Sequence, residues 1–108
     1  MKEFFTYRDI PYEELGNGIK RKILAHDNPL MVVEVTFEKG ASGDPHSHEN
    51  TQLVYILEGE FEFDVDGEKK RVSKGDTVFI KSNKVHSAIC LESGKVLDIF
   101  TPERKDFL

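Results

Sequence analysis

Short strands separated by turn signals dominate this sequence. In residues 60–66, apolar side chains alternate with four carboxylates, a pattern typical of a strand with one buried and one solvated face. The Asp66-Gly67 pair that follows is a strong hairpin signal. No stretch of the 108 residues carries a sustained helical period. The spacing of strands and turns therefore predicts an all-β barrel or sandwich.

The chain divides by its pattern into an arm, a barrel and a tail within one domain of residues 1–108. Residues 1–18 are expected to form an extended N-terminal arm, with a short helical turn at residues 12–15 as one option. Residues 102–108 form the tail after Pro102. The barrel, residues 19–101, is predicted to hold about nine short strands. They include residues 19–25, 30–38, 51–57, 60–66, 68–73, 77–81, 85–91 and 95–101, with a turn at Glu58-Gly59.

Composition excludes several kinds of partner. The net charge of −5 argues against binding to a nucleic-acid backbone. No apolar run is long enough to cross a membrane, and the N-terminus lacks the apolar stretch of a signal peptide, so we expect a cytoplasmic protein.

The single cysteine, Cys90, lies in an apolar run and is interpreted as a core residue.

Two histidines stand one residue apart, at positions 46 and 48. In an extended strand, residues i and i+2 point to the same side, so His46 and His48 could share one metal ion. Gln52 keeps the same parity, and His86 lies in a second strand-rich segment. We predict that these four residues form one metal site inside the barrel. The alternatives are an exposed His-x-His loop, and a Gln52 that hydrogen-bonds a ligand instead of the metal.

Imidazole nitrogens with one oxygen donor suit Zn, Ni, Mn, Fe or Co, and the sequence does not choose among these divalent ions. Three imidazoles and a neutral amide would leave one such ion per subunit with its full charge of +2. Such a site favours Lewis-acid chemistry and anion binding over oxygen chemistry.

Two strands are apolar on both faces. In residues 51–57, Val54 and Ile56 share the side of Gln52, while Leu53 and Tyr55 lie opposite. Residues 95–101 show a similar pattern. Antiparallel strands with one solvated face do not have this pattern. Either the N-terminal arm or a second subunit covers the outer face, and we favour a homodimer.

The last strand and the tail carry two charged candidates. Asp98 lies in an otherwise apolar strand, where a carboxylate is costly unless it is paired or functional. Arg104 follows Pro102, and its planar guanidinium suits a substrate carboxylate. The alternatives are an ion pair for Asp98 and a solvated tail residue for Arg104. His26 lies in a polar turn region and is interpreted as a surface residue.

Glycines, histidines and turn residues recur in two motifs. They are Gly40-x5-His46-x-His48-x3-Gln52-x6-Gly59 and Gly75-x5-Lys81-x-Asn83-x2-His86. Their order and spacing resemble the two-motif signature of the cupin superfamily, which implies a jelly-roll β-barrel. Three positions depart from that pattern, because Gln52 replaces the usual glutamate, Lys81 a proline and Asn83 a glycine. Asn83 is compatible with the motif because asparagine tolerates a left-handed backbone.

The likeness extends toward both ends of the chain. Residues 18–26, 37–40 and 97–108 are similar to a family of pectin-degradation cupins that convert unsaturated monouronates from pectin and alginate into linear keto forms. The resemblance implies metal ligands and pocket residues. The implied ligands are His46, His48, Gln52 and His86, and the implied pocket residues are Asp98, Phe100 and Arg104.

The resemblance also implies a small anionic sugar as substrate. Ring opening yields an enol whose protonation gives the ketone, and Asp98 is the expected proton shuttle. Arg104 would anchor the carboxylate, and Phe100 would wall the sugar ring. Two other functions stay open: another metal-dependent cupin enzyme, such as a dioxygenase or isomerase, and a non-catalytic cupin that binds or senses a sugar.

Overall fold

The computed structural model describes residues 2–108, which form eight strands and two short 3-10 turns. The strands are β1 Glu13–Gly16, β2 Ile19–Asp27, β3 Leu30–Phe37, β4 Ser42–His46, β5 Thr51–Val65, β6 Glu68–Ser73, β7 Thr77–Ile80 and β8 His86–Thr101. Every pairing is antiparallel, in the order β1-β2-β3-β8-β5-β6, with β4 on β8 and β7 on β5. The predicted all-β barrel is confirmed.

The two longest strands, β5 and β8, are the centre of the fold. They pair along almost their whole length, and their inner side chains, such as Ile56, Phe61 and Val96, are almost fully buried. Cys90 is buried among these apolar side chains, as predicted. The Asp66-Gly67 hairpin is also confirmed, since both residues have positive φ and join β5 to β6.

The turn predicted at Glu58-Gly59 is wrong. The predicted strands 51–57 and 60–66 are one continuous strand, β5, and the pairing with β8 shifts register between Ile56 and Phe61. This irregularity is a β-bulge. Before the bulge even-numbered side chains are buried, and after it odd-numbered ones are, so the extra residue keeps both halves facing the core. The predicted strands 85–91 and 95–101 likewise merge into β8.

Gly59 and Gly67 form a matched pair for testing the bulge. Both have positive φ, +83° and +91°, but a Cβ at Gly59 would lie 2.6 Å from the carbonyl oxygens of Glu92 and Ser93, whereas one at Gly67 would meet nothing within 4 Å. Gly67→Ala should lower the free energy of unfolding by about 1–2 kcal/mol, the cost of a left-handed alanine. Gly59→Ala should cost roughly 3 kcal/mol or more, because backbone must also move. Urea denaturation of both variants checks this, and equal losses would contradict it.

The helical turn considered at residues 12–15 is also wrong. Residues 13–16 form β1, which pairs with β2 as a hairpin through Gly16, Asn17 and Gly18, all with positive φ. The 3-10 turn of the arm instead covers Tyr7–Asp9. The division into arm, barrel and tail stays a prediction.

The outer face of the sheet is covered only in part. The N-terminal arm lies over β2 and β3, where the Tyr7 hydroxyl donates to Glu34 at 2.7 Å and the Lys22 ammonium lies 3.8 Å from the centre of the Tyr7 ring. Farther along the same face, Tyr55 is 41% exposed and Phe79 is 62% exposed. Residues 2–18 therefore do not cover the β5–β7 part of this face.

Candidate metal centre

Three histidines converge at one end of the barrel. His46 ends β4 and pairs in register with His86 at the start of β8, while His48 lies in the loop before β5. Their ring centres are 4.4 Å apart for His46–His86, 5.0 Å for His48–His86 and 5.7 Å for His46–His48. One nitrogen from each ring lies within 4.8 Å of the other two. The loop is tied to the second motif by Asn83, whose backbone N–H donates to the His48 carbonyl at 2.8 Å.

Each imidazole is oriented by its own local backbone. The Nδ1 atoms of His46, His48 and His86 lie 3.0, 3.0 and 2.9 Å from the carbonyl oxygens of Asp44, Asn50 and Lys84. Since a carbonyl can only accept, Nδ1 carries the proton and Nε2 keeps its lone pair in each neutral ring. Three Nε2 atoms are thus available as metal ligands, with the backbone contacts that usually orient such rings.

Burial favours the neutral form of two of these rings. It is the largest cause that lowers the pKa of His48 and of His86, and the positive charge of Arg104 adds to the effect on His48. The Nε2 atom of His86 is buried and has no hydrogen-bond partner among residues 2–108. A buried lone pair without a donor is costly unless a ligand satisfies it.

Gln52 lies beside the histidines on the inner side of β5. Its amide Nε2 donates to Asp98 Oδ1 at 3.0 Å, which turns its Oε1 toward His48 Nε2, also at 3.0 Å. Two acceptors that face each other at this distance repel unless a cation or a proton lies between them. With the unpartnered Nε2 of His86, this arrangement fits a divalent metal ion, and the three imidazoles and the Gln52 oxygen are the groups that could hold it.

Asp98 lies on β8 and borders the same pocket as His46, His86 and Gln52. The ion pairs formed by residues 2–108 do not include it, so the ion pair considered as an alternative is not observed. Its partner is the Gln52 amide. Burial raises the pKa of Asp98 to about 6, although the Gln52 hydrogen bond and the charge of Arg104 act in the opposite direction. A carboxyl group with such a pKa can both accept and return a proton near neutral pH.

Arg104 and Phe100 complete the wall of this pocket. Arg104 is only 9% exposed, so its interpretation as a solvated tail residue is wrong. Its guanidinium carbon lies 5.2 Å from the centre of the Phe100 ring, and that ring contacts His48 edge-on at 5.7 Å. The cavity between these groups measures about 140 Å³ and also borders His46, His86, Gln52 and Asp98. It is smaller than the roughly 300–1,000 Å³ pockets of drug-sized ligands, as expected for a small substrate.

Sequence analysis missed several residues that shape the pocket. The buried Asn50 donates from its side chain to the carbonyl oxygens of Pro102 and Glu103, at 2.7 and 3.2 Å, and so ties the histidine loop to the tail. Phe63 and Phe107 also line the cavity. The sequence signal for Asn50 is its position between two candidate metal ligands, His48 and Gln52. His26, by contrast, is exposed, as predicted, and pairs with Glu103 at 2.8 Å.

A small antiparallel barrel with three histidines that could hold one metal ion fits the cupin family. The chain belongs to the cupin family, and the model of the cupin domain matches residues 33–100. Within residues 2–108, no helix is long and apolar enough to cross a membrane.

Two relatives carry a particular name. The chain is 44% identical to the pectin degradation protein KdgF of Dickeya dadantii, over the full length of both chains. It is 40% identical to the solved KdgF of a Halomonas species, with a TM-score of 0.94 and full coverage of both chains. An RmlC-like cupin from Shewanella frigidimarina is 37% identical, with a TM-score of 0.96 over 100% of this chain and 97% of that one. These matches confirm the predicted likeness to pectin-degradation cupins.

Proposed function

We propose that this protein is an enzyme that opens the ring of 4,5-unsaturated monouronates and yields their linear 5-keto-4-deoxy forms. The Dickeya relative is named a pectin degradation protein, and the likeness of the whole chain to it and to the KdgF of Halomonas supports this substrate class. We extend it to the unsaturated uronates released from alginate, because the same double bond and carboxylate are present there.

One observation carries the proposal. A carboxyl group whose pKa is raised to about 6 shares a small cavity with a histidine cluster and a buried arginine. An isomerisation of a small sugar acid needs these groups together: one that exchanges protons, one that binds a carboxylate, and one that stabilises developing negative charge.

The reaction moves protons without any change in redox state. The C1 hydroxyl loses its proton, the bond from C1 to the ring oxygen breaks, and an aldehyde and an enolate result. A proton then adds to C4, and the enolate oxygen becomes the oxygen of the C5 ketone. Asp98 takes the first proton and returns one to C4, a role that suits a carboxyl group with a pKa close to neutral.

Arg104 and Phe100 bind and orient the sugar. The Arg104 guanidinium, which flanks the cavity, donates two hydrogen bonds to the substrate carboxylate. The Phe100 ring packs against the face of the sugar ring and excludes water from the reacting carbons. A fixed carboxylate holds C4 and C5 in a constant position relative to Asp98.

The metal ligands are His46, His48, Gln52 and His86, through three Nε2 atoms and one amide oxygen. When bound, one divalent ion supplies Lewis-acid stabilisation of the negative charge that develops on the substrate oxygens. Gln52 has a second task in this scheme, because its amide N–H holds Asp98 in place beside the ligands at 3.0 Å.

An absorbance assay tests the proposal. Purified protein is mixed with unsaturated galacturonate, and the ultraviolet absorbance of the conjugated double bond is followed. Loss of absorbance that is faster than in buffer, and proportional to protein concentration, is expected. Binding of the uronate without consumption would favour the sugar-sensing function instead.

We further propose that two copies of the chain associate in the cytoplasm through the uncovered outer face. Cross-strand neighbours there form an apolar row of Val32, Ile99, Leu53 and Phe79, and Leu97 and Tyr55 continue it in the next row. Tyr55 and Phe79 stay exposed beside the arm. A second copy would bury this surface and remove it from water.

Tyr55→Lys should convert the dimer to monomers, because a lysine at the centre of the apolar surface would have to be buried without a partner. Ile89→Lys is the matched control: Ile89 is 39% exposed against 41% for Tyr55, and it lies on the outward face of β8 where β8 pairs with β4. Analytical ultracentrifugation checks both variants. A wild-type protein that sediments as a monomer at all concentrations would contradict the dimer.

A further inference from the structure

The guanidinium of Arg104 is held along one of its two edges. Its Nε donates to Asp106 Oδ1 at 3.0 Å, and one terminal nitrogen donates to Asp106 Oδ2 at 2.8 Å. This is a two-point contact with the side edge of the arginine fork. Among residues 2–108, the guanidinium makes no other hydrogen bond, so the opposite edge, formed by the two terminal nitrogens, keeps its donors.

Two aromatic rings lie against the same group. The Arg104 guanidinium carbon lies 4.4 Å from the centre of the Phe107 ring and 5.2 Å from that of Phe100, and the two rings meet edge-on at 5.7 Å. The Arg21 guanidinium also lies against Phe107, at 3.9 Å. Stacking of this kind restricts rotation of a guanidinium about its long axis.

The turn that carries these residues is itself anchored. Asn50 holds the carbonyl oxygens of Pro102 and Glu103, directly before Arg104, and the Glu103 N–H donates to the Asn28 carbonyl at 3.1 Å. The short 3-10 turn Lys105–Phe107 then places Asp106 beside Arg104. The position of the arginine is thus set by the chain before it, by two neighbouring aromatic rings and by one carboxylate.

We infer that Asp106 is a positioning residue that orients Arg104, so that its free edge receives the substrate carboxylate. This inference rests on the proposed function, in which Arg104 binds that carboxylate. Asp106 does not touch the substrate in this arrangement. Its side chain is 63% exposed, so its effect is to orient Arg104 and not to support the core.

A competing arrangement makes the opposite prediction. If Asp106 occupied the edge that the substrate needs, it would mimic the substrate carboxylate and would have to be displaced during binding. Removal of Asp106 would then lower KM. If instead Asp106 orients Arg104, its removal raises KM. The direction of the change therefore separates the two arrangements.

The test compares Asp106→Ala and Asp106→Asn with wild type in the absorbance assay on unsaturated galacturonate. We expect KM to rise roughly tenfold or more in Asp106→Ala, because two charged hydrogen bonds to Arg104 are lost, with a smaller fall in kcat. Asp106→Asn should also raise KM, by an equal or smaller factor. Glu92→Gln is the matched control, because it removes the charge of another acid that is 60% exposed and paired with a lysine.

A double variant shows whether the effect passes through Arg104. In an Arg104→Ala background, Asp106→Ala should cause no further rise in KM, whereas a structural role would add a further loss. A KM that is unchanged or lowered in Asp106→Ala, or that rises further in the double variant, would overturn the inference. Failure of the wild type to consume the uronate would instead refute the proposed function itself.

Discussion

Asp98→Asn should lower turnover of unsaturated galacturonate by roughly a hundred- to ten-thousand-fold, the usual contribution of a general acid–base group. The amide keeps the shape of the side chain but cannot exchange a proton at neutral pH. KM and metal content should change little, because Arg104 and the histidines are untouched. Stopped-flow absorbance over a range of uronate concentrations separates kcat from KM.

Glu34→Gln is the control for this substitution. Glu34 is a buried acid, only 7% exposed, but it faces the outer side of β3 and accepts from Tyr7. Its replacement should leave kcat close to that of wild type. Wild-type turnover in Asp98→Asn, or an equal loss in Glu34→Gln, would contradict the assignment of Asp98 as the proton shuttle.

His48→Ala should remove most of the bound metal while the barrel stays folded. The variant loses one imidazole from the cluster and also the group that faces Gln52 at 3.0 Å. The substitution removes none of the apolar side chains of the core between β5 and β8, so circular dichroism should show an intact sheet. The metal content of the dialysed variant is measured by inductively coupled plasma mass spectrometry. It is compared with the one ion per subunit that is expected in wild type.

His26→Ala is the matched control for the metal measurement. His26 is exposed on β2, and it pairs with Glu103 instead of the histidine cluster. It should keep one ion per subunit. Retention of metal by His48→Ala would contradict the proposed ligand set, and unfolding of His48→Ala would mean that the ion has a structural role.

Much of the fold follows from local pattern, and the wrong predictions have one physical cause. Alternation in residues 60–66 and the Asp66-Gly67 pair predict a strand and a hairpin correctly, because both depend on neighbouring residues. The bulge at Gly59 does not follow in this way. A Glu-Gly pair has the composition of a turn. At Gly59, however, β8 approaches so closely that its carbonyl oxygens would lie 2.6 Å from a Cβ. This contact between distant residues accompanies the continuous strand.

In the candidate site, too, features that depend on local pattern were predictable and contacts between distant segments were not. The alternation of side chains along the strands places His46, Gln52 and Asp98 on the inner side of the barrel, and all three border one cavity, whereas His48 lies in the loop before β5. The contact from Asn50 to the tail joins residues 52 positions apart. The contact from Asp106 to Arg104 depends on a turn after the last strand. Neither contact is encoded by spacing or by periodicity, so neither was predictable.

The most direct test of the central claim is proton nuclear magnetic resonance of unsaturated galacturonate incubated with the metal-loaded protein in deuterated water. We expect the vinyl proton signal at C4 to disappear, and signals of the linear ketone to appear with deuterium incorporated at C4, because the proton that Asp98 delivers exchanges with solvent. A vinyl signal that decays no faster than it does in protein-free buffer would contradict the account.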